Sequence, residues 1–170
     1  VGEVALAYEV SGAADAAPMV LLHALGEDRS DWSPVPGRFA AEFRVVAVDL
    51  RGHGESDRPG TYSSALMAED VAALLDRLAL GPVVLVGHSY GGTIIRVVAD
   101  RIPEKIRSLV FVDAFVPENG KCLNDYAPEF AEMFRTQALE VGQSYLIPPI
   151  PPEVFNLNAA DHALYHAKTT

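Results

Sequence analysis

The chain has 170 residues, of which 49% are hydrophobic and 21% are charged, and its 23 acidic and 13 basic side chains give a formal charge of −10. The apolar fraction excludes disorder along the whole chain, and the charge disfavours nucleic acids and anionic membrane surfaces as partners. No run of about 18 apolar residues is present, and no basic patch precedes an apolar run near the first residue, so we expect a cytoplasmic protein without a membrane partner. The single cysteine, Cys122, excludes an intrachain disulfide.

Apolar runs and helical patterns alternate along the first two thirds of the chain. Residues 4–10 alternate as a strand does, and four later apolar runs predict parallel strands buried on both faces. These runs are 19–22, 45–48, 83–86 and 109–112. Apolar residues at helical spacing over 67–78 and a second segment over 93–100 predict helices between the strands.

This alternation predicts an α/β fold, a doubly wound and mostly parallel sheet with right-handed crossovers. We assign residues 1–113 to this core. Residues 114–170 hold six of the twelve prolines and seven of the fourteen aromatic side chains, and the proline-rich stretch 146–152 excludes a regular helix there. We interpret 114–170 as a cap or lid segment and not as an independent domain, with short helices at Pro128–Glu140 and 158–168.

The segment 87–92, Gly-His-Ser-Tyr-Gly-Gly, has the G-x-S-x-G pattern directly after a buried strand and before a helix. This is the setting of a nucleophile elbow, in which a sharp turn strains the serine backbone and flanking glycines allow close packing. The helix N-terminus beneath the serine offers backbone donors to a developing oxyanion. We predict that Ser89 is a catalytic nucleophile; the alternative is a glycine-rich turn with an incidental serine.

Two further loops follow predicted strands. In 23–26, His-Ala-Leu-Gly, the Leu25 N–H is the candidate second oxyanion donor beside the Tyr90 N–H, as acyl transfer requires. We expect His23 and His88 to shape the site, His23 by hydrogen bonding within its loop and not by proton transfer. The loop 49–57, Asp-Leu-Arg-Gly-His-Gly-Glu-Ser-Asp, lacks a phosphate-binding fingerprint, and we predict an ion-paired loop that forms the site wall.

Together, the HALG loop, the DLRGHGESD loop, the VLVGHSYGG elbow and the segment VFVDAFVPENG at 110–120 resemble the α/β-hydrolase superfamily over residues 4–120. The last segment is similar to bacterial esterases and to the plant methylesterases allied to hydroxynitrile lyases. The resemblance implies a serine hydrolase with Ser89 as nucleophile and Leu25 and Tyr90 as oxyanion donors. Our leading hypothesis is a cofactor-independent hydrolase of a small apolar ester, because the seven aromatic side chains of the lid segment suggest a hydrophobic pocket. Serine at the elbow argues against epoxide hydrolase or haloalkane dehalogenase chemistry, since the resembling families place aspartate there.

The resemblance also implies a chain order of serine, acid and histidine. Only His162 and His166 follow Ser89, and neither comes after a strand with the expected Gly-His pattern. Asp113 is the downstream acid at a strand end and is therefore a candidate catalytic residue. Since His162 and His166 lie beside Asp161 at helical spacing, a metal pair is an alternative, but we favour surface lid residues and predict no metal site and no cofactor.

The absent catalytic histidine leads to an expectation about the whole protein. The 109–112 strand would be an unpaired edge, and such edges pair with other chains. We expect the chain to derive from a longer protein, or to be completed by a second copy in a homo-oligomer or by a complementing C-terminal segment.

Two other functions remain open from the sequence. One is a lyase on the same fold that cleaves a cyanohydrin-like substrate, for which Lys121 is the nearest lysine. The other is a binding module that keeps the fold without the catalytic base.

Overall fold

The computed structural model describes residues 4–118, 120–121, 123–126 and 128–140. Several sequence predictions fall outside these residues: Cys122, the proline-rich stretch 146–152, the helix expected at 158–168, Asp161, His162 and His166.

A five-stranded sheet is the centre of the described chain. Its strands are β1 (Tyr8–Ser11), β2 (Ala17–Leu22), β3 (Phe43–Val48), β4 (Val83–His88) and β5 (Ile106–Val112). They lie in the order β1-β3-β2-β4-β5, with β1 antiparallel to β3 and the other neighbours parallel. The predicted α/β fold with a mostly parallel sheet is confirmed.

Helices lie between these strands and after the last of them. They are α1 (Pro36–Phe39), α2 (Ser64–Arg77), α3 (Gly91–Arg101), α4 (Leu123–Tyr126), α5 (Pro128–Glu140) and the 3₁₀ helices Arg29–Trp32 and Pro103–Lys105. The predicted helices 67–78 and 93–100 are α2 and α3, and α5 has the predicted bounds. The helix α2 begins where the Ser63 hydroxyl accepts a hydrogen bond from the Leu66 N–H at 3.1 Å, a typical N-cap.

The first strand is shorter than the alternating pattern predicts. Only Tyr8–Ser11 pairs with β3. The preceding residues hydrogen-bond to the loop that follows β3: the Ala7 carbonyl accepts from the Asp49 N–H at 2.9 Å, and the Ala5 carbonyl accepts from the Asp57 N–H at 3.0 Å. The 4–7 segment therefore satisfies its backbone on that loop and not on the sheet.

Apolar side chains cover both faces of the central strands. On one face, strand residues such as Val20 and Val46 pack in one cluster with α2 and α3, and on the other face Leu21 and Val45 pack around Trp32. These four aliphatic side chains are buried to 99% or more. Each such side chain contributes about 1.5–3 kcal/mol when it leaves water, so this core holds the strand ends in place.

The strand β5 does not have the burial that its apolar sequence predicts. Val110, Phe111 and Val112 are 41%, 39% and 40% exposed. The prediction of a strand buried on both faces is wrong for 109–112. The reason is position, because β5 is last in the strand order of the described sheet and has a neighbour, β4, on one side only.

The chain divides into two compact units, Val1–Val116 and Pro117–Thr170. The boundary lies close to residue 113, where the sequence pattern changes. Within the second unit, the Glu118 N–H donates to the Tyr126 hydroxyl at 2.8 Å. A cap or lid function for 114–170 stays a prediction. None of the helices in the described ranges has the length and apolarity needed to cross a bilayer.

Candidate active site

Ser89 occupies the turn between β4 and α3 in a left-handed backbone conformation, with φ of +48°. A non-glycine residue in this region costs about 1–3 kcal/mol, so the surrounding contacts must hold it there. A Cβ on Gly87 would lie 2.5 Å from the Gly91 carbonyl carbon, and a Cβ on Gly91 would lie 2.7 Å from the Leu22 oxygen. The two glycines are thus required for the close approach of β4, α3 and β2.

The backbone of Ser89 is bonded on both sides to the end of β5. Its N–H donates to the Val112 carbonyl at 3.1 Å, and its carbonyl accepts from the Phe115 N–H at 3.1 Å. Asp113, directly after β5, is also left-handed, with φ of +42°, and its side chain is exposed. Two adjacent strands therefore end in strained polar residues at the same edge of the sheet.

The two amides predicted as oxyanion donors follow neighbouring strands. Leu22 of β2 is in register with Gly87 of β4, so the loops carrying Leu25 and Tyr90 leave the sheet at the same edge. Among the hydrogen bonds of the described residues, neither the Leu25 N–H nor the Tyr90 N–H donates to any group. Within the described residues these two amides are thus available to a ligand or to water, as oxyanion donors must be.

His23 is fully buried and uses both ring nitrogens. Nδ1–H donates to the Ala24 carbonyl at 2.7 Å, and Nε2 accepts from the Leu50 N–H at 3.0 Å. Burial lowers the pKa of His23 from 6.5 to about 4, chiefly because the charged ring would be desolvated. At neutral pH this uncharged imidazole joins the loop after β2 to the loop after β3.

The carboxylate of Asp49 is the centre of the loop after β3. It is fully buried, accepts from the backbone N–H groups of Arg29 at 2.6 Å and Glu55 at 2.9 Å, and pairs with the Arg29 guanidinium. Gly54 is left-handed, with φ of +49°, and a Cβ there would overlap this carboxylate. The prediction of an ion-paired loop is confirmed for these residues.

The same loop is attached to helix α2 by a second buried ion pair. Arg51, 5% exposed, donates from two guanidinium nitrogens to the two carboxylate oxygens of Asp70, at 2.5 and 2.6 Å. Such a two-bond pair fixes orientation as well as distance. His53 in this loop lies 5.0 Å from the His23 ring, and burial lowers its pKa.

His88 lies against acidic groups that are distant from it in the sequence. Its Nδ1 is 3.4 Å from Glu27 Oε2 and 3.7 Å from Asp31 Oδ2, and its ring meets Trp32 edge-on with centroids 6.2 Å apart. About 60 residues separate these partners along the chain, so no local spacing pattern could have indicated the cluster.

The described residues do not complete a catalytic triad. Their three histidines are His23, His53 and His88, and within this part of the chain no histidine nitrogen hydrogen-bonds to Ser89 or Asp113. His162 and His166 lie outside the described residues. A catalytic role for Asp113 therefore stays a prediction.

Comparison with known proteins identifies the family. The family model of the alpha/beta hydrolase fold matches residues 17–148, which include both loops predicted to carry oxyanion donors and the serine turn. The chain belongs to the α/β-hydrolase fold family. In this family the nucleophile occupies a strand-to-helix turn, and one oxyanion donor comes from the residue that follows it.

Several α/β-hydrolases resemble the chain over part of their length. Epoxide hydrolase 4 of Mus musculus is 33% identical over 154 residues, which are 89% of this chain and 42% of that protein. The carbendazim hydrolyzing esterase of a Nocardioides species is 46% identical over 99 residues, 53% of this chain and 40% of that protein. The chain thus spans less than half the length of these curated relatives.

Among solved structures, a thermophilic esterase from Thermogutta terrifontis superposes with a TM-score of 0.77 at 27% identity. The match covers 98% of this chain and 61% of that one.

Proposed function

We propose that the protein is a serine hydrolase of the α/β-hydrolase type that cleaves small apolar esters. This proposal rests on Ser89, which is held left-handed between a buried strand and a helix. The N–H groups of Tyr90, the next residue, and of Leu25, at the same sheet edge, donate to no group among the described residues. A strained residue at a strand end is a frequent feature of functional sites. The relatives named as esterases support the same chemistry.

In the proposed reaction, Ser89 Oγ attacks the carbonyl carbon of the ester while a histidine takes the hydroxyl proton. The tetrahedral oxyanion binds the N–H groups of Leu25 and Tyr90, each contributing about 3 kcal/mol of transition-state stabilisation. Collapse breaks the carbon–oxygen bond, and the leaving alkoxide takes the proton from the histidine. Water then attacks the acyl-enzyme and releases the acid, with the proton passing back to Ser89.

The general base of this proposal lies outside the described residues. His23 is unsuited because both its ring nitrogens are engaged and its pKa is about 4. We therefore propose that the base comes from a complementing C-terminal segment or from a second copy of the chain. Asp113 remains the candidate acid that orients it. We also propose that the protein is cytoplasmic.

Epoxide opening is the second candidate, because the relative named epoxide hydrolase covers most of this chain. That chemistry forms an ester between an elbow carboxylate and the epoxide carbon. A serine hydroxyl at position 89 cannot supply the carboxylate, so the proposal favours ester cleavage. Incubation with styrene oxide and with a cyanohydrin would reveal diol formation or cyanide release, which correspond to the epoxide and lyase alternatives.

Turnover of p-nitrophenyl acetate tests the proposal, measured with the complementing C-terminal segment or second copy that supplies the base present in every assay. Ser89→Ala should lower the rate about 1000-fold or more, since the nucleophile is removed. Ser108→Ala, which changes an exposed serine on the adjacent strand β5, is the matched control and should keep the rate. Equal rates for Ser89→Ala and the parent chain would refute a serine hydrolase. A folded parent chain that, with the source of the base present, neither turns over the ester nor reacts with a fluorophosphonate would refute it as well.

A further inference from the structure

Three metal-ligating side chains meet on the first compact unit. Glu27, Asp31 and His88 each offer one ligand atom, and these atoms lie within 4.8 Å of one another. His88 is the last residue of β4, whereas Glu27 and Asp31 lie in the segment after β2. Because β2 and β4 are parallel neighbours, their carboxyl ends bring the three residues together.

The distances from the His88 ring nitrogen to the two carboxylates are longer than those of a hydrogen-bonded ion pair. A protonated imidazole bonded to a carboxylate would have its nitrogen about 2.7–2.9 Å from the oxygen. Here Nδ1 of His88 is 3.4 Å from Glu27 Oε2 and 3.7 Å from Asp31 Oδ2. Two ligands of a tetrahedral zinc ion, each bonded at about 2.0–2.1 Å, are about 3.3 Å apart. The spacing thus leaves room for a cation between the three ligands.

Neighbouring groups hold two of these side chains. Trp32 packs edge-on against His88, and the Ala24 N–H donates to Glu27 Oε2 at 3.3 Å. The Trp32 indole Nε1 is buried and has no hydrogen-bond partner within the described residues. Buried indole N–H groups usually find an acceptor, so the environment of His88 includes a donor available to a water molecule.

We propose that Glu27, Asp31 and His88 form a binding site for one divalent transition-metal cation, with Zn²⁺ as the best fit. One imidazole and two carboxylates suit zinc, whereas Ca²⁺ and Mg²⁺ prefer all-oxygen shells. Three protein ligands leave at least one coordination position to water. The formal charge of −10 favours cations over anions at this surface. None of its ligands is the nucleophile or an oxyanion donor of the proposed esterase reaction, although His88 directly precedes Ser89.

Calorimetric titration of the full chain with ZnCl₂ tests the proposal. The parent chain should bind one Zn²⁺ in this cluster, and MgCl₂ or CaCl₂ should give no comparable binding. Glu27→Gln and Asp31→Asn preserve side-chain shape, and each should weaken Zn²⁺ binding at least about tenfold. Glu42→Gln, at an exposed carboxylate outside the cluster, is the matched control and should leave the Kd unchanged. Far-UV circular dichroism would verify that every variant is folded.

Other possible ligands require a second set of variants. Thiol and imidazole groups elsewhere in the chain are also of zinc-ligating type, namely Cys122, His162 and His166. If the cluster Glu27–Asp31–His88 holds the ion, Cys122→Ser and a His162→Ala/His166→Ala double variant should keep the Zn²⁺ affinity of the parent chain. Substitution with Co²⁺ should give a spectrum without a thiolate charge-transfer band. The proposal is overturned if the parent chain binds no Zn²⁺ at 1 mM, if Glu27→Gln and Asp31→Asn bind it as the parent does, or if Mg²⁺ binds equally well.

Discussion

Two halves of the same sheet edge differ in how fully their polar groups are satisfied. At the ends of β2 and β3, His23 and Asp49 are fully buried, and their side chains are held by the hydrogen bonds and ion pair described above. At the ends of β4 and β5, Ser89 and Asp113 have left-handed backbones, and the Tyr90 N–H donates to no described group. The buried side chains of the first half stabilise the fold, whereas the Tyr90 N–H of the second half is a donor that a ligand can use.

The contrast shows that polar residues at strand ends are not equivalent. His23 and Ser89 both follow buried strands, yet the surroundings of His23 consume its hydrogen-bonding capacity. Strain together with free donors separates a reactive position from a structural one. Substitutions in the two halves should therefore have opposite consequences for activity and stability.

The largest expected effect comes from the reactive half. Ser89→Ala should lower esterase activity about 1000-fold, while its free energy of unfolding changes by less than about 1 kcal/mol, because the side chain makes no structural hydrogen bond in the described residues. Urea denaturation beside the p-nitrophenyl acetate assay checks this. If Ser89→Ala lost activity only because it unfolds, Ser89 would have a structural role, which would contradict the contrast between the two halves of the sheet edge.

Substitutions at the ends of β2 and β3 should mainly lower stability. Asp49→Ala leaves the Arg29 guanidinium and two backbone donors without their buried acceptor, and should lower the free energy of unfolding by about 3 kcal/mol. Glu55→Gln is the matched control, because Glu55 pairs with the same arginine but is 74% exposed, and it should cost less than about 1 kcal/mol. Urea denaturation measures the free energy of unfolding of both variants. Equal losses would show that the burial of the carboxylate does not determine how much it stabilises the fold.

The pH dependence of stability sharpens the comparison. The pKa of His23 is about 4 in the folded chain and 6.5 when unfolded, so the unfolded chain binds more protons between these values. The contribution of His23 to the free energy of unfolding is fully present above pH 6.5 and is lost as the pH falls toward 4. Between pH 7 and pH 5 the loss is about 2 kcal/mol. His23→Asn should remove this part of the slope in urea titrations. An unchanged slope would mean that His23 is already protonated when folded.

The smallest expected effect concerns backbone strain. Ser89→Gly should raise the free energy of unfolding by about 1 kcal/mol, since glycine adopts a left-handed backbone freely. Ala79, with φ of +51° after α2, is the matched position, and Ala79→Gly should stabilise by a similar amount. Thermal unfolding measures both, and only Ser89→Gly should lose activity. Destabilisation by Ser89→Gly would show that the elbow is not strained.

The sequence predicted much of this arrangement because the decisive signals are local. A buried apolar run followed by G-x-S-x-G defines the Ser89 turn, and the His-Ala-Leu-Gly loop indicates Leu25. The Glu27–Asp31–His88 cluster could not be predicted, because β2 and β4 become neighbours only in the folded sheet. The exposure of β5 was also missed, since an apolar run does not indicate whether a further strand covers it.

Mapping the site of a fluorophosphonate adduct tests the central claim most directly. The protein should be labelled while folded and with the segment or copy that supplies the general base present, then digested and analysed by mass spectrometry. We expect an adduct on Ser89 and none on Ser56, whose buried hydroxyl donates to the Asp49 carbonyl at 2.6 Å. An adduct on Ser56, or a folded protein without any adduct on Ser89, would contradict it.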